Sequence, residues 1–467
     1  MRCLRTVLAL TCLALLSGAS YPQEKLVTLT NDEKAAAIET VCVRLKRFYV
    51  LPDVAARMET HIRMKLAEGA FDKTADAKEF ADSLTRELRS ISHDKHLGLF
   101  FGPDPDLRPK QDAGLERLLA RSARQEQNYG LDGVEILEGN VGYMRIRSVM
   151  FYEEVKAILD ASMAFLANAD ALIFDLRGNR GGDPQFMAYL FGYFFEKPTP
   201  TTRIYWRDRD RTDEFWTREA VPGEKRPDLP LFVLIFGQTF SGAEEFAYDL
   251  QALKRATIVG EASAGGANPA SSWVVYRDLR ISIPIGRAIN PVTGTNWEGV
   301  GVKPDVEVAA DSALSAALEL AAKAGKQRRE DRRGRLLAKY QLCRAGIEEA
   351  RKLIGAERTQ AAETLVTSTL NEAVENKLHT ESSINSLGYE FLRQDELSMA
   401  IAVFKANVSR FPDSANAYDS LGEAYGAAGR KELAIESYER SLKLDPGNAN
   451  AAERLKTLKR KAASRCS

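Results

Sequence analysis

Residues 231–248 read LFVLIFGQTFSGAEEFAY, an apolar run that breaks at Gly237-Gln238-Thr239-Phe240 and sets Ser241 at the head of an amphipathic segment. The run shows no alternation, as expected of a strand buried on both faces in a parallel sheet. After it, Ala243, Phe246, Ala247 and Leu250 share one helical face that would pack back on that sheet. A hydroxyl on a strand-to-helix turn is where a serine hydrolase presents its nucleophile. The same residues, Ser241-Gly242-Ala243-Glu244, fit a Ser-x-x-Glu capping box. Alone, the segment favours the cap, because serine is a preferred helix N-cap.

Around this stretch, strands alternate with helices. Strands are expected at 141–146, 171–176, 231–236, 257–259, 272–276 and 280–284, with helices at 151–168, at 184–195 and after Ser241. This pattern predicts an α/β domain with a mostly parallel sheet over residues 131–309. Upstream, residues 25–101 carry helical spacing, with Thr30-Asn31-Asp32-Glu33 as a cap, and 102–130 read as a linker opened by a proline-rich break. Downstream, 310–380 form a charged helical connector. Within 381–452, Leu387-Gly388, Phe391, Ala400, Phe404 and Pro412 recur 34 residues later as Leu421-Gly422, Tyr425, Ala434, Tyr438 and Pro446. That period is the tetratricopeptide one, a helix-turn-helix unit, and 359–374 is expected to add a degenerate third unit. Such repeats suggest docking of a protein partner.

The N-terminus reads as a secretory signal over 1–20, with Arg2 and Arg5 ahead of apolar 7–16 and the small residues Ser17-Gly18-Ala19-Ser20. The expected location is therefore periplasmic or secreted. Cys12 follows Thr11, which argues against lipidation, and no segment after the signal is expected to span a membrane. Lys plus Arg and Asp plus Glu number 65 each, so the charge gives no reason to expect nucleic acid. Only Cys42, Cys343 and Cys466 remain beyond the signal, and the four histidines (61, 93, 96, 379) show no metal-ligand spacing. No disulfide framework, metal or cofactor is expected.

A nucleophilic serine needs a base, a group to orient the base, and oxyanion donors. His93 and His96 lie together in Ser92-His93-Asp94-Lys95-His96-Leu97 and are the base candidates. Gly178-Asn179-Arg180-Gly181-Gly182 ends a strand and Gly260-Glu261-Ala262-Ser263-Ala264-Gly265-Gly266 forms a second glycine-rich turn; either could supply backbone amides. Glu298, in Asn296-Trp297-Glu298-Gly299, is a candidate orienting acid, though by spacing alone a surface acid in a turn is the commoner meaning.

Taken together, DKHL, GNVGY, DLRGNRGG, TFSGAEEFAY, GEASAGG and NWEGVGVKPD, in that order over roughly 30–308, resemble the C-terminal processing (tail-specific) serine protease family. The likeness is nearest to the interphotoreceptor retinoid-binding-protein-like and tricorn-core-like branch. It implies a crotonase/ClpP-like α/β catalytic domain. Carried onto these positions, it implies Ser241 as nucleophile, His96 as base with His93 as runner-up, and Glu298 as the group orienting the histidine. Gly242 and either Gly181 or Gly182 would supply the oxyanion hole. The processing branch uses a Ser–Lys dyad, its lysine following the second glycine-rich turn; here that place reads Gly265-Gly266. The histidine arrangement is therefore expected. No PDZ domain is evident, which weakens any expectation of gripping free carboxyl tails. The leading expectation is an exported serine peptidase acting on peptides or proteins through an acyl-enzyme. The alternatives are a non-catalytic carrier of an apolar ligand such as a retinoid or lipid, and a repeat-based scaffold.

Overall fold

The computed structural model describes residues 27–102, 113–148 and 152–463. The expected signal segment, Cys466 and positions 103–112 of the expected linker lie outside these. Among the described residues, no helix is long and apolar enough to cross a membrane. The chain forms two compact units, Met1–Gln327 and Arg328–Ser467.

Helices α1 (Asn31–Phe48), α2 (Pro52–Ala67) and α3 (Ala77–Ser92) open the first unit. Thr30 and Glu33 form the reciprocal capping box at the start of α1, as the sequence predicts. The helices do not close a core by themselves. Phe80, Leu84 and Leu88 of α3 pack in one cluster with Leu97, Leu99, Leu279, Ile281 and Ile283. Leu99 lies on strand β1 (Gly98–Phe101), which is followed by helix α4 (Ala113–Glu126) inside the stretch read as a linker.

Strands β2 (Leu131–Leu137) and β3 (Val141–Ile146) lead to α5 (Tyr152–Phe165), β4 (Ala171–Asp175) and α6 (Pro184–Phe191). Next come β5 (Pro200–Trp206), β6 (Arg211–Trp216), β7 (Leu231–Ile235), α7 (Gly242–Ala252) and β8 (Thr257–Gly260). The unit's last strands are β9 (Ala270–Tyr276), β10 (Leu279–Pro284), β11 (Gly286–Ile289) and β12 (Val306–Glu307). The main sheet has the order β12-β8-β7-β4-β3-β2 and is parallel except for the β2–β3 pair. Every residue of β4 and β7 is buried, which accounts for their unbroken apolar sequence. Two three-stranded sheets, β1-β10-β9 and β11-β5-β6, are built largely from strands inserted between those of the main sheet in chain order.

The main sheet places three turns side by side. Asp175 of β4 pairs with Leu234 of β7, and Ile235 of β7 pairs with Gly260 of β8. The turns that follow these strands therefore leave the same edge of the sheet. Carboxyl ends of parallel strands are where open α/β folds gather ligands.

Helix α8 (Ala313–Gly355) crosses from the first unit into the second, which continues with α9 (Thr359–Glu375), α10 (Glu381–Arg393) and α11 (Leu397–Arg410). Helices α12 (Ala415–Ala427), α13 (Lys431–Leu444) and α14 (Ala449–Ala463) complete it. The repeated glycines have a steric reason. A Cβ at Gly388 would lie 2.5 Å from the Phe404 ring, and one at Gly422 would lie 2.9 Å from the Tyr438 ring. Ala362, Val366 and Leu370 of α9 share the core of this unit with the repeat helices.

Candidate active site

Ser241 precedes α7 with φ 56° and ψ −125°. This is the first central position of a type II′ turn, and a residue with a side chain is strained there. The neighbouring turns hold it in place. Phe240 N–H donates to the Asn179 carbonyl (3.1 Å) and Ala264 N–H to the Thr239 carbonyl (3.0 Å). The Thr239 hydroxyl donates to the Leu176 carbonyl at 3.2 Å.

The capping-box pair of Ser241 and Glu244 is present, yet the serine hydroxyl takes no cap hydrogen bond. Glu244 N–H donates instead to the Ser241 carbonyl (2.8 Å). The Glu244 carboxylate accepts from Ser241 N–H (2.9 Å), the Ser263 hydroxyl (2.5 Å), Gly265 N–H (2.5 Å) and Gly266 N–H (2.8 Å). Burial pushes this carboxyl above its ordinary pKa, against the pull of those four donors. Glu244 thus ties the serine turn to the second glycine-rich turn.

His96 reaches Ser241 from the loop between α3 and β1. Its Nε2 lies 3.1 Å from Ser241 Oγ. The loop is clamped on both sides. Arg89 donates to the carbonyls of Leu97 (2.6 Å) and Lys95 (2.8 Å), and the Lys95 ammonium donates to the Ala264 carbonyl. The Phe240 ring packs against the imidazole with centroids 4.5 Å apart. Burial, with Arg89 adding its charge, lowers the His96 pKa to about 4. The imidazole is neutral near pH 7 and can accept a proton.

Glu298 comes near His96 without bonding to it. One ligand-type atom each from Asp94, His96 and Glu298 lies within 4.8 Å of the others. The Glu298 carboxylate accepts from the amides of Lys95 (3.3 Å), Ala267 (2.6 Å) and Asn268 (3.0 Å). Asp94 is 1% exposed and accepts from His96 N–H (3.0 Å), the Tyr49 hydroxyl (3.3 Å) and Asn268 Nδ2 (2.9 Å). His96 Nδ1 is buried and has no hydrogen-bond partner among the described residues. Burial raises both acids, Glu298 to about 7 with the Asp94 charge adding to it. These three are also the side chains closest to a cation-binding set among the described residues. Backbone amides and neutral side-chain donors already engage both carboxylates.

The glycines pack tightly around the serine. A Cβ at Gly181 would fall 2.5 Å from Gly242 N, and one at Gly242 would fall 2.9 Å from Gly182 N. Gly181 N–H is committed to Asn179 Oδ1 at 2.8 Å. At Gly266, a Cβ would meet Phe240 Cε2 at 2.1 Å and His96 Cε1 at 3.0 Å.

The fold therefore brings together Ser241, His96, Gly181, Gly182 and Gly242, with Glu298 beside them. His93, the runner-up, is exposed and caps the C-terminus of α3 in the left-handed region. Asp94, Asn268, Phe240 and the bracing role of Glu244 are not anticipated from sequence. Asp94 sits inside the DKHL motif and offered a signal; Asn268 offered none.

Comparison with known proteins follows the same lines. Residues 24–129 match the N-terminal domain of Peptidase_S41 in eukaryotic IRBP, residues 140–308 match peptidase family S41, and residues 415–448 match a tetratricopeptide repeat. A carboxy-terminal-processing protease of Bartonella bacilliformis is 28% identical over 178 residues, 37% of this chain and 39% of that protein. A carboxyl-terminal-processing protease of Synechocystis is 30% identical over 168 residues, 36% of this chain and 37% of that protein. The chain thus spans about two fifths of the length of these relatives. Among solved structures, mature CPAF complexed with lactacystin has a TM-score of 0.45 and 13% identity, covering 64% of this chain and 99% of that one.

Proposed function

We infer that the chain, which belongs to peptidase family S41, is a serine peptidase that hydrolyses peptide bonds through an acyl-enzyme built on Ser241, His96 and Glu298. The observation that carries this reading is the 3.1 Å contact between His96 Nε2 and Ser241 Oγ. Ser241 Oγ attacks the substrate carbonyl carbon while its proton passes to His96 Nε2. The oxyanion is received by the amide of Gly242 and that of Gly182, since Gly181 N–H already serves Asn179. Collapse breaks the C–N bond, and His96 returns the proton to the leaving amine. Water then attacks the ester, with His96 again as base, and releases the acid. Glu298 acts through space, and in its ionised form it stabilises the imidazolium as it forms.

A histidine base also suits the space around Gly266. The Phe240 and His96 rings fill the position where a side chain at residue 266 would begin. The α/β domain, taken as 131–309, is assigned to the crotonase/ClpP-like class, and 1–20 to an export signal that sends the protein to the periplasm or beyond. Residues 25–101 and 310–380 are taken as the N-terminal helical domain and the connector. The repeats over 381–452 are assigned to docking of a protein partner.

Hydrolysis of a mixed peptide pool, followed by mass spectrometry, tests this reading. Cleavage by the wild type that is absent from Ser241→Ala supports it. A folded wild type that cleaves nothing, yet binds a retinoid or fatty acid, would favour the carrier alternative.

A further inference from the structure

A cavity of about 340 Å³ opens directly beside Ser241 and Gly242. Its walls are apolar: Ile204 and Trp206 of β5, Phe215 of β6, Ala288 of β11 and Trp297. One lining group does not fit that surface. Glu245 sits one helical turn from Ser241 and is 6% exposed, and its carboxyl takes part in no hydrogen bond or ion pair among the described residues. Asp183 also lines the cavity, but its oxygens serve the amides of Gln185 (2.9 Å) and Tyr152 (3.2 Å). Behind Glu245 on α7, Asp249 accepts from Asn290 at 2.8 Å through Oδ1, and its Oδ2 has no partner among the described residues. Of the basic residues, Arg218 reaches the lining only by donating to Gln185 Oε1 at 3.0 Å.

We propose that this cavity receives the substrate side chain on the acyl side of the scissile bond, and that Glu245 selects a long cationic side chain there, lysine or arginine. This rests on the serine-peptidase reading above. An acid left unpaired in an apolar wall is costly, so without a ligand it stays neutral; burial and the Asp183 charge raise its pKa to about 8. An apolar side chain filling the cavity leaves that acid unsatisfied. An ammonium or guanidinium entering it lets Glu245 ionise, its proton going to solvent, and forms a charge-assisted hydrogen bond where little water competes. The methylene stem lies on the tryptophan faces, which also attract the cation.

The test compares fluorogenic peptide amides carrying lysine, norleucine or phenylalanine at the acyl position, using the full chain. Norleucine keeps the stem of lysine and lacks the ammonium. Lysine is expected to exceed norleucine in kcat/KM by roughly ten- to a hundredfold. In Glu245→Gln the ratio is expected to collapse to about threefold or less, with a circular-dichroism spectrum matching the wild type as the control for folding. Norleucine or phenylalanine matching lysine in the wild type would overturn the assignment whatever the variant does. A lysine preference that survives in Glu245→Gln would also overturn it. Fluorophosphonate labelling of the same preparation separates the two levels. A labelled enzyme indifferent to lysine sinks only the pocket assignment, whereas an unlabelled, folded protein sinks the peptidase reading with it.

Discussion

Gly266 lies so close to Phe240 that a Cβ on it would stand 2.1 Å from the phenylalanine ring, and the same ring packs against His96. The absence of a side chain at 266 and the placement of the base are one steric arrangement. Gly266→Ala is expected to push Phe240 into the imidazole and slow fluorophosphonate labelling of Ser241 by about tenfold or more. Adding Phe240→Ala should restore much of the lost rate, because the two changes share one contact. Equal loss in the single and double variants would show that the ring does not transmit the effect.

Glu244, buried at the start of α7, is expected to matter strongly for stability. Its carboxylate gathers four donors from two turns, one from Ser241 and three from the segment 263–266. Glu244→Ala leaves those donors without a partner in a buried setting, which should cost about 3–5 kcal/mol. Chemical denaturation reads this directly. A loss below about 1 kcal/mol would mean that the brace is dispensable.

The strained backbone of Ser241 gives an opposite expectation. With φ 56° and ψ −125°, glycine is the residue that fits without strain. Ser241→Gly should therefore be more stable than Ser241→Ala by about 1 kcal/mol, while both are inactive. Thermal unfolding of the two variants decides the point, and an alanine variant at least as stable as the glycine one would contradict it.

Sequence made the centre of the main sheet legible because β4 and β7 are buried along their whole length and so read as unbroken apolar runs. Strands β2 and β12, with few buried residues, did not show. Strands β5 and β6 escaped as well. They are held by cross-strand polar pairs such as Arg203 with Glu214, and β6 carries mostly exposed residues. The residues of the site announced themselves through local glycine and serine chemistry. Their assembly did not, because it depends on β4, β7 and β8 being neighbours and on a loop 145 positions from Ser241 being clamped over it. Asn268 could not be assigned from local pattern, since it acts on Asp94 from 174 positions away. The contact of Asp94 with Tyr49 is also remote in sequence, although Asp94 itself lies in the DKHL motif.

The pH dependence of stability should carry the signature of Glu298. Its pKa rises from 4.5 to about 7 on folding, by burial and the neighbouring Asp94. Between those values the folded chain binds a proton that the unfolded chain has released, so this group's contribution is present below 4.5 and lost as pH rises through 7. Glu298→Gln should gain on the wild type across that window, by at most about 3 kcal/mol. His96 has the other sign: lowered from 6.5 to about 4, its contribution is present above 6.5 and lost as pH falls through 4. Denaturant midpoints from pH 4 to 8 check the Glu298 effect; a gap between variant and wild type that does not change with pH would contradict it.

The central claim is that Ser241 is a nucleophile activated by His96. Intact-mass and peptide mapping after fluorophosphonate treatment of the folded protein at neutral pH measure it most directly. The expected result is a single adduct on Ser241, absent from Ser241→Ala and slowed by a hundredfold or more, roughly, in His96→Ala. A folded wild type without an adduct, or one whose labelling is unchanged in His96→Ala, would contradict it.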